Sequence, residues 1–333
     1  MPSDVSIVIP CHDERRWDQL AVTVASALDQ RPAPAEVVVV VDHNEQLYRR
    51  ARRELSGVTV LRNRYPEPGV SGNRNTGAFH LDTPLIALMD DDVVAHPGWL
   101  AALVAPFADP AVCGTGGAIR PRWHAGRPAW VPEEFLWAFG GSYRGMPTAG
   151  AQVRNVWSAS MVVRREVFAA VGGFRVGFGK VGDRSRPEDT DLCLRMSAAS
   201  GGHWWYEPGA VVEHAVPASR ATFGYFLTRC YHEGRGKVDL GRLNDGRDSL
   251  GTEREYLRHT LPTGVWHGLT GTVRGQGLAG AARSGAILAG MGAAGYGALV
   301  ESFRRGPALE VAACGECTER SEGRERTRKV GMA

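Results

Sequence analysis

The chain has 333 residues, of which 43% are hydrophobic and 23% are charged, and its formal net charge is +3 at pH 7. This composition is that of an ordinary globular protein, and the charge is too small to predict nucleic-acid binding. The six cysteines are scattered along a long chain, which argues against a disulfide framework. The opening MPSDVSIVIPCHDE has the pattern of a first strand and not of a signal peptide, so we expect a cytoplasmic protein.

The first part of the chain alternates between short apolar runs and amphipathic segments. Buried strands are predicted over 5–10, 36–41, 58–62 and 85–89, and helices over 17–30, 47–55 and 97–107. The segment SGNRNTGAFHL, residues 71–81, is interpreted as a loop that leads into a helix. This alternation predicts an α/β fold with a Rossmann-like, mainly parallel central sheet flanked by helices, which binds ligands beyond the carboxyl ends of its strands.

The pattern changes after residue 112. Aromatic residues and glycines make it irregular, apart from a strand and short helix over 161–168, a helix over 188–197 and a last strand over 211–214. We expect a first domain over residues 1–218 and a helical C-terminal extension over 219–310. Residues 311–333 are densely charged and are predicted to be a disordered tail.

Acidic residues follow two of the predicted strands. Asp42 ends the second strand, and Asp90, Asp91 and Asp92 end the fourth. Three adjacent carboxylates repel one another, and a divalent cation with oxygen ligands, Mg²⁺ or Mn²⁺, is the usual compensation. In an extended segment Asp90 and Asp92 point the same way, so that one can face a nucleotide while the other holds the metal. The alternative is an acidic surface loop or a helix N-cap.

Further polar motifs lie in a fixed order around this triplet. CHDE follows Pro10, Arg74 and Asn75 are predicted in a turn before a helix, and Glu188-Asp189 precedes TDLCLR. In this order the segments resemble glycosyltransferase family 2, of the GT-A fold, over roughly residues 3–215. The segments that carry the resemblance are VSIVIPCHDE, VVVVVDHNE, SGNRNTGA, MDDDVVAHPGWL, VRREVFAAVGGF and RPEDTDLCLR.

The resemblance implies an inverting enzyme that transfers one sugar from a nucleoside-diphosphate sugar, by default a UDP-hexose, to an acceptor hydroxyl. Residues 1–112 would bind the nucleotide and residues 113–218 the acceptor. Asp189 would be the general base, supported by Glu188, while Asp92 and His214 would bind the cation. The remaining residues implied in nucleotide-sugar binding are Pro10, His12, Glu14, Asp42, Arg74, Asp90 and Asp91.

The chemistry of such a transfer agrees with these residue types. Negative charge develops on the leaving diphosphate, where a metal ion stabilises it, and a carboxylate can take the proton of the acceptor hydroxyl. A single displacement needs no protein nucleophile. The sequence also lacks the QxxRW motif of processive relatives, which predicts transfer of a single sugar.

Several residues have a structural alternative. The alternative for Asp42 is a helix N-cap, for His214 a structural histidine, and for Glu188 and Asp189 a capping role at the helix that they precede. Two acceptor-side candidates, Trp157 and Trp205, either stack on sugar rings or pack in the core. The alternative functions are a non-catalytic sugar-nucleotide-binding protein and a nucleotidyltransferase, although the latter usually has a glycine-rich loop and a lysine where this chain has CHDERR.

The C-terminal region bears on the acceptor, which we expect to be a sugar, a lipid-linked sugar or a small molecule. A helix predicted over 222–237 mixes arginines with aromatic residues, which suits either a membrane surface or packing over the acceptor cleft. Residues 284–300 are uncharged but rich in glycine and alanine, and they favour a buried or interfacial helix over a membrane span. We therefore expect a cytoplasmic protein whose one alternative location is the inner face of the membrane, in peripheral contact.

Overall fold

A computed structural model describes residues 4–181, 184–243, 255–272 and 277–304. The charged tail predicted over 311–333 lies outside the described residues. The strands in chain order are β1 Val5–Cys11, β2 Val37–Val41, β3 Thr59–Arg62, β4 Leu85–Leu88, β5 Val93–Ala95, β6 Val112–Trp123, β7 Ala151–Val153, β8 Met161–Arg164, β9 Gly179–Val181, β10 Arg184–Arg186 and β11 His203–Val216.

The α-helices alternate with these strands and then follow them. They are α1 Trp17–Leu28, α2 Glu45–Glu54, α3 Val70–His80, α4 Trp99–Val104, α5 Arg165–Ala170, α6 Glu188–Ser200, α7 Phe223–Leu243, α8 Leu261–Gly271 and α9 Leu278–Phe303. Short 3₁₀ segments cover Glu14–Arg16, Ala105–Ala108, Glu133–Phe139 and Ser158–Ser160, and a π-helical turn, Tyr256–Thr260, runs into α8.

The central sheet has nine strands within the described residues, in the order β3-β2-β1-β4-β8-β6-β11-β5, with β7 added beside β11. The strands β3, β2, β1 and β4 are parallel. They consist of apolar runs such as VVVVV in β2, which is buried along its whole length because helices cover both faces. This half is the predicted α/β arrangement, and the strands end together at one edge.

The other half of the sheet is mixed, which the prediction of a mainly parallel sheet did not include. β8 is antiparallel to β4 and β6, and β11 is parallel to β6 but antiparallel to β5 and β7. β6 has 12 residues and β11 has 14, where the sequence pattern predicted no strand at 113 and only a short one at 211–214. β6 and β11 together lengthen the mixed half of the sheet, and β11 pairs there with β5, the strand that follows the aspartate triplet.

The segment SGNRNTGA forms most of α3 and is not the predicted loop. Residues 71–78 are all buried. Gly77 lies where an added Cβ would collide with Val8 and Val40, so this helix lies directly on β1 and β2. The helix is also hydrogen-bonded to the ends of these strands: Asn73 Nδ2 donates to the carbonyls of Cys11 and Val40, at 3.3 and 3.0 Å.

The C-terminal extension is helical, as predicted, and packs around a third apolar core. Phe226 of α7 contacts Phe135 and Phe139 of the 3₁₀ segment, and Ile287 of α9 belongs to the same cluster. α9 approaches α7 at glycines, since a Cβ on Gly234 would collide with the main chain of Ala294. By length and composition alone, α9 is apolar enough to cross a membrane, with 28% of its most apolar window buried.

Candidate active site

The aspartate triplet lies in a turn between β4 and β5, and not in the extended segment predicted for it. Asp91 and Asp92 are both buried, and both contact the guanidinium of Arg16, which lies at the start of α1. Arg16 Nη1 lies 2.9 Å from Asp91 Oδ1, while Nη2 contacts Asp92 Oδ2. The guanidinium of Arg16 therefore lies between the carboxylates of Asp91 and Asp92.

Burial and nearby charges shift the pKa values of Asp91 and Asp92 in opposite directions. Burial raises the pKa of Asp91 to about 7, against the opposing charge of Arg16. Burial also acts to raise the pKa of Asp92, but the hydrogen bond and charge of His214, together with Arg16, lower it to about 2. Asp92 is thus the carboxylate that stays ionised and available for a cation.

His214 lies on β11 beside the triplet. Its Nε2 is 3.3 Å from Asp92 Oδ1, and its Nδ1 is 3.3 Å from the carbonyl of Phe139. Burial acts to lower the pKa of His214, yet the hydrogen bond and charge of Asp92 raise it. With Nδ1 oriented by a main-chain carbonyl, Nε2 is the ring nitrogen that faces the site.

Arg74 on α3 joins the triplet to the second acidic pair. Its guanidinium is almost fully buried, with Nη2 at 2.8 Å from Asp90 Oδ1 and Nη1 at 3.4 Å from Glu188 Oε1. Asp189 Oδ1 lies 3.8 Å from the same Nη1. Burial acts to lower the pKa of Arg74, but the three carboxylates raise it. Carboxylates from two distant segments of the chain therefore meet around the Arg74 guanidinium.

Glu188 and Asp189 occupy the first turn of α6, and neither caps it through its side chain, so the capping alternative is wrong. Burial and the charge of Asp189 raise the pKa of Glu188 to about 7. Burial also raises the pKa of Asp189, against the charge of Arg74 and hydrogen bonds from Ser158. Asp189 Oδ1 is buried and has no hydrogen-bond donor in the described part of the chain, and its contact with Arg74 Nη1 is a longer ion pair of 3.8 Å.

Asp42 lies at the end of β2 in a nest of donors. Asn63 Nδ2 donates to Oδ1 at 2.7 Å, the main-chain N–H of Gly69 donates to Oδ2 at 2.8 Å, and His43 Nδ1 lies 2.7 Å from Oδ1. The N-cap alternative is wrong, because Asn44 caps α2 by accepting from the N–H of Leu47. Asp42 is therefore held in place at the carboxyl edge of the sheet.

The loop that follows β1 borders the same carboxyl edge of the sheet. Pro10 is buried within β1 opposite Val40, and His12 is exposed just beyond it. Glu14 accepts from Gln46 Nε2 at 3.3 Å and pairs loosely with Arg50 at 3.8 Å.

The two candidate tryptophans are half-buried. Trp157 precedes the Ser158–Ser160 turn and lies 6.0 Å from the ring of Tyr143, while Trp205 contacts Gly150. The adjacent Trp204 belongs to the core, since its Nε1 donates to the carbonyl of Cys193 at 3.0 Å.

No group of three or more His, Cys, Asp or Glu side chains is arranged as a closed metal cage in the portion of the chain that is described. Asp92 and His214 form a two-ligand set, which fits a cation that completes its coordination with phosphate oxygens and water. The buried Asp91 Oδ2 has no hydrogen-bond donor among the same residues, which also favours a nearby cation. The donor set therefore fits Mn²⁺ or Mg²⁺, provided that Arg16 moves aside.

The triplet, Arg74, His214, Glu188 and Asp189 thus lie together, with Asp42 and the first loop along the same sheet edge. Sequence reasoning missed Arg16, Ser158 and Asn63. For Arg16 a signal existed, because three adjacent carboxylates require positive charge and an arginine pair follows Glu14. The sequence did not distinguish Arg16 from Arg15, which pairs with Asp13 in solvent.

Comparison with known proteins gives a consistent result. The model of glycosyl transferase family 2 matches residues 6–172. A glucosyl-dolichyl phosphate glucuronosyltransferase from Haloferax volcanii is 31% identical over 237 residues, which is 70% of this chain and 76% of that protein. A pre-mycofactocin glycosyltransferase from Mycobacterium tuberculosis is 32% identical over 147 residues, which is 44% of this chain and 30% of that protein.

A solved structure has the same fold. The mannosyltransferase PcManGT from Pyrobaculum calidifontis, in complex with GDP-Man and Mn²⁺, superposes with a TM-score of 0.57 at 17% identity. The match covers 92% of this chain and 90% of that one.

Proposed function

The chain belongs to glycosyltransferase family 2 and is a glycosyltransferase, and on this premise we propose that it moves one sugar from a nucleoside-diphosphate sugar to an acceptor hydroxyl with inversion. The observation that carries the proposal is the position of Arg74. Its guanidinium contacts Asp90 on the donor side and Glu188 and Asp189 on the acceptor side. Donor and base thus share one cleft.

Asp189 is the general base in this scheme. Its carboxylate accepts the proton of the acceptor hydroxyl as that oxygen attacks the anomeric carbon, while Ser158 and Arg74 hold the carboxylate in position. Glu188 contacts the same Arg74 guanidinium and in this way helps to position Asp189. Asp92 and His214 hold a divalent cation, Mn²⁺ or Mg²⁺, which when bound stabilises the negative charge of the leaving diphosphate.

The nucleotide lies along the carboxyl edge of the parallel half of the sheet. Asp42 hydrogen-bonds the base, with Pro10, His12 and Glu14 around the base and ribose. Asp90 and Asp91 complete the donor side. The default donor is a UDP-hexose, and the relative named as a glucuronosyltransferase adds UDP-glucuronate to the candidates.

The acceptor is a lipid-linked sugar in this proposal, by analogy with the relative named for glucosyl-dolichyl phosphate. Residues 1–112 form the nucleotide-binding half and residues 113–218 the acceptor-binding half. Trp157 and Trp205 are the candidates for contact with the acceptor sugar. The enzyme works on the cytoplasmic side, in peripheral contact with the membrane that holds its acceptor.

A donor panel tests the reaction class. The full chain is incubated with UDP-glucose, UDP-glucuronate, GDP-mannose and a dTDP-sugar, with Mn²⁺ and with or without chelator, and release of the nucleoside diphosphate is measured. We expect one uridine donor to be turned over and chelator to abolish the release. Release of pyrophosphate from a sugar phosphate and a nucleoside triphosphate would instead support a nucleotidyltransferase.

The variant Asp189→Asn tests the base. Loss of the proton acceptor is expected to lower kcat by roughly 10²- to 10⁴-fold with little change in donor binding. Asp191→Asn is the matched control, because Asp191 lies on the same helix but pairs with Arg175 and Arg195 at 3.2 and 2.9 Å. That variant is expected to lower stability without the same loss of kcat. Equal transfer by wild type and Asp189→Asn would refute the assignment.

A further inference from the structure

The outer side of α9 carries a continuous apolar stripe. We define the α9 stripe as eight exposed residues spaced three or four positions apart, which places them on one face of the helix. They are Leu278, Ala281, Gly285, Leu288, Gly292, Tyr296, Leu299 and Phe303. Leu278 and Phe303 are 86% and 80% exposed, so the stripe runs the whole helix without a charged residue. The helix has 26 residues and is thus about 39 Å long.

The neighbouring helix α8 also has exposed apolar side chains. Trp266 and Leu269 of α8 are 66% and 49% exposed. α8 packs on α9 so closely that a Cβ on Gly268 would collide with Ser284. An exposed apolar surface of this extent marks an interaction site.

The opposite face of α9 is fixed in the protein. Ser284 Oγ donates to the carbonyl of Val265 at 2.9 Å, and Glu301 pairs with Arg235 at 2.7 Å inside the helical extension. A Cβ on Gly297 would collide with the main chain of Tyr231. A membrane-spanning α9 would have to give up these contacts and carry Glu301 into lipid. The helix is therefore suited to lie on a membrane surface and not to cross it.

The net charge of the helical extension indicates which kind of partner the α9 stripe would bind. The described residues of the extension from 219 to 304 contain eight arginines and lysines against four aspartates and glutamates, a net charge of +4. Two such extensions would repel each other, whereas an anionic lipid surface attracts basic segments. We propose that the α9 stripe docks on a bilayer that contains anionic lipids.

Docking through this surface also concerns the active site, in a step that rests on the proposed function. Arg186 lies two positions before Glu188 and pairs with Asp239 of α7 at 3.7 Å. α7 in turn packs along α9. The docked helices thus hold the segment that leads to the general base, which is where a lipid-linked acceptor has to arrive.

Vesicle flotation tests the docking. The full chain is mixed with phosphatidylcholine vesicles, with and without phosphatidylglycerol, and compared with the variant Leu288→Gln/Leu299→Gln/Phe303→Gln. We expect the wild type to float with the anionic vesicles and to be released by high salt or carbonate. Each substitution is expected to weaken partitioning by about tenfold. Val22→Gln is the matched control, since Val22 is an equally exposed apolar residue on α1, and it is expected to float like the wild type.

Three results would overturn the docking: no flotation of the wild type, flotation unchanged in the triple variant, or wild type that resists carbonate as an integral protein does. Chromatography that shows a dimer, converted to a monomer by the triple variant without any flotation, would instead assign the stripe to a second copy. Turnover of a soluble donor, measured without vesicles, separates the two proposals. Turnover without flotation refutes only the docking, and flotation without turnover of any donor refutes only the proposed function.

Discussion

Two arginines form ion pairs within the acidic cluster. Arg16 lies between Asp91 and Asp92, and Arg74 lies between Asp90 and the Glu188–Asp189 pair. Buried carboxylates without such partners would be protonated or would destabilise the fold. Arg16 is less enclosed than Arg74, since 22% of its side chain is exposed against 4%. Arg16 is therefore the cation that can yield its place to a metal.

Replacing Arg16 by glutamine is expected to strengthen Mn²⁺ binding. The metal no longer competes with the guanidinium, while the protein without metal loses about 3 kcal/mol, because Asp91 loses its ion pair with Arg16 and Asp92 keeps its contact with His214. The measurement is the shift of the thermal transition on adding Mn²⁺, together with calorimetric affinity. The shift is expected to be larger in Arg16→Gln than in the wild type.

Arg15→Gln is the control for this prediction. Arg15 is the adjacent arginine, but its side chain is 90% exposed and pairs only with Asp13. Its loss is expected to leave both stability and Mn²⁺ affinity close to those of the wild type. A weaker affinity in Arg16→Gln would mean that Arg16 helps to hold the bound state.

The pH dependence of transfer follows from the Glu188–Asp189 pair. Burial and mutual repulsion raise the pKa of Glu188 to about 7, and burial raises the pKa of Asp189. A general base works only when unprotonated, so kcat/KM is expected to rise with pH through an apparent pKa near 7 that belongs to the pair. The measurement is a pH profile of nucleotide release under saturating Mn²⁺.

Glu188→Gln is expected to move the acidic limb of this profile to lower pH. The remaining carboxylate no longer shares its surroundings with a second negative charge, so it ionises more easily. A profile that stays in place would show that another group limits the reaction at low pH.

At the scale of elements, α3 fixes the geometry of the cleft. Its position depends on Gly77, beside Val8 and Val40, and on Asn75, whose side chain exchanges two hydrogen bonds of 2.8 Å with the main chain of Phe174. The helix therefore ties β1 and β2 to the segment that leads towards β9. Because Arg74 lies on this helix, these contacts determine its position.

Gly77→Ala is expected to lower the free energy of unfolding by about 2 kcal/mol, because the added methyl group pushes α3 away from the sheet. Displacement of Arg74 is expected to reduce kcat as well. Denaturant unfolding and nucleotide release are the measurements. Gly241→Ala in α7 is the control, since a Cβ there meets nothing within 4 Å and alanine favours the helix. Equal stability of Gly77→Ala and wild type would contradict the close packing.

The sequence predicted the elements whose pattern is regular and missed those whose packing breaks the pattern. β1, β2, β4 and α6 were predicted from their apolar runs and acidic start. β6 was missed because glycines replace its inward side chains: a Cβ on Gly114 would collide with the ring of Trp204. β11 was only partly predicted, because Glu207 to Val211 contains a register shift around Pro208 and Gly209.

The same limit applies to the site. Carboxylates at strand ends are visible in the sequence, and they do lie at one edge of the sheet. Arg16, Ser158 and Asn63 act through contacts between distant segments, such as the 2.7 Å hydrogen bond from Asn63 to Asp42. No local spacing reports such a contact, so these residues required the structure.

For the whole molecule, the fold brings a parallel half and a mixed half together around one acidic cluster. The parallel strands end at Asp42 and Asp90, and the mixed half supplies His214, Ser158 and the start of α6. The helical extension contacts β10 through α7, where Arg186 pairs with Asp239, and presents the α9 stripe outward. The proposed donor site, the proposed base and the proposed lipid surface thus belong to connected parts of one fold.

The most direct test is a crystal structure of the full chain with UDP and Mn²⁺, using the anomalous signal of the metal. We expect a manganese peak beside Asp92 and His214, with the Arg16 side chain displaced. The uracil is expected near Asp42, and the diphosphate on the side that faces Asp189. A manganese peak away from Asp92, or a nucleotide on a surface that does not face Asp189, would contradict the proposed site.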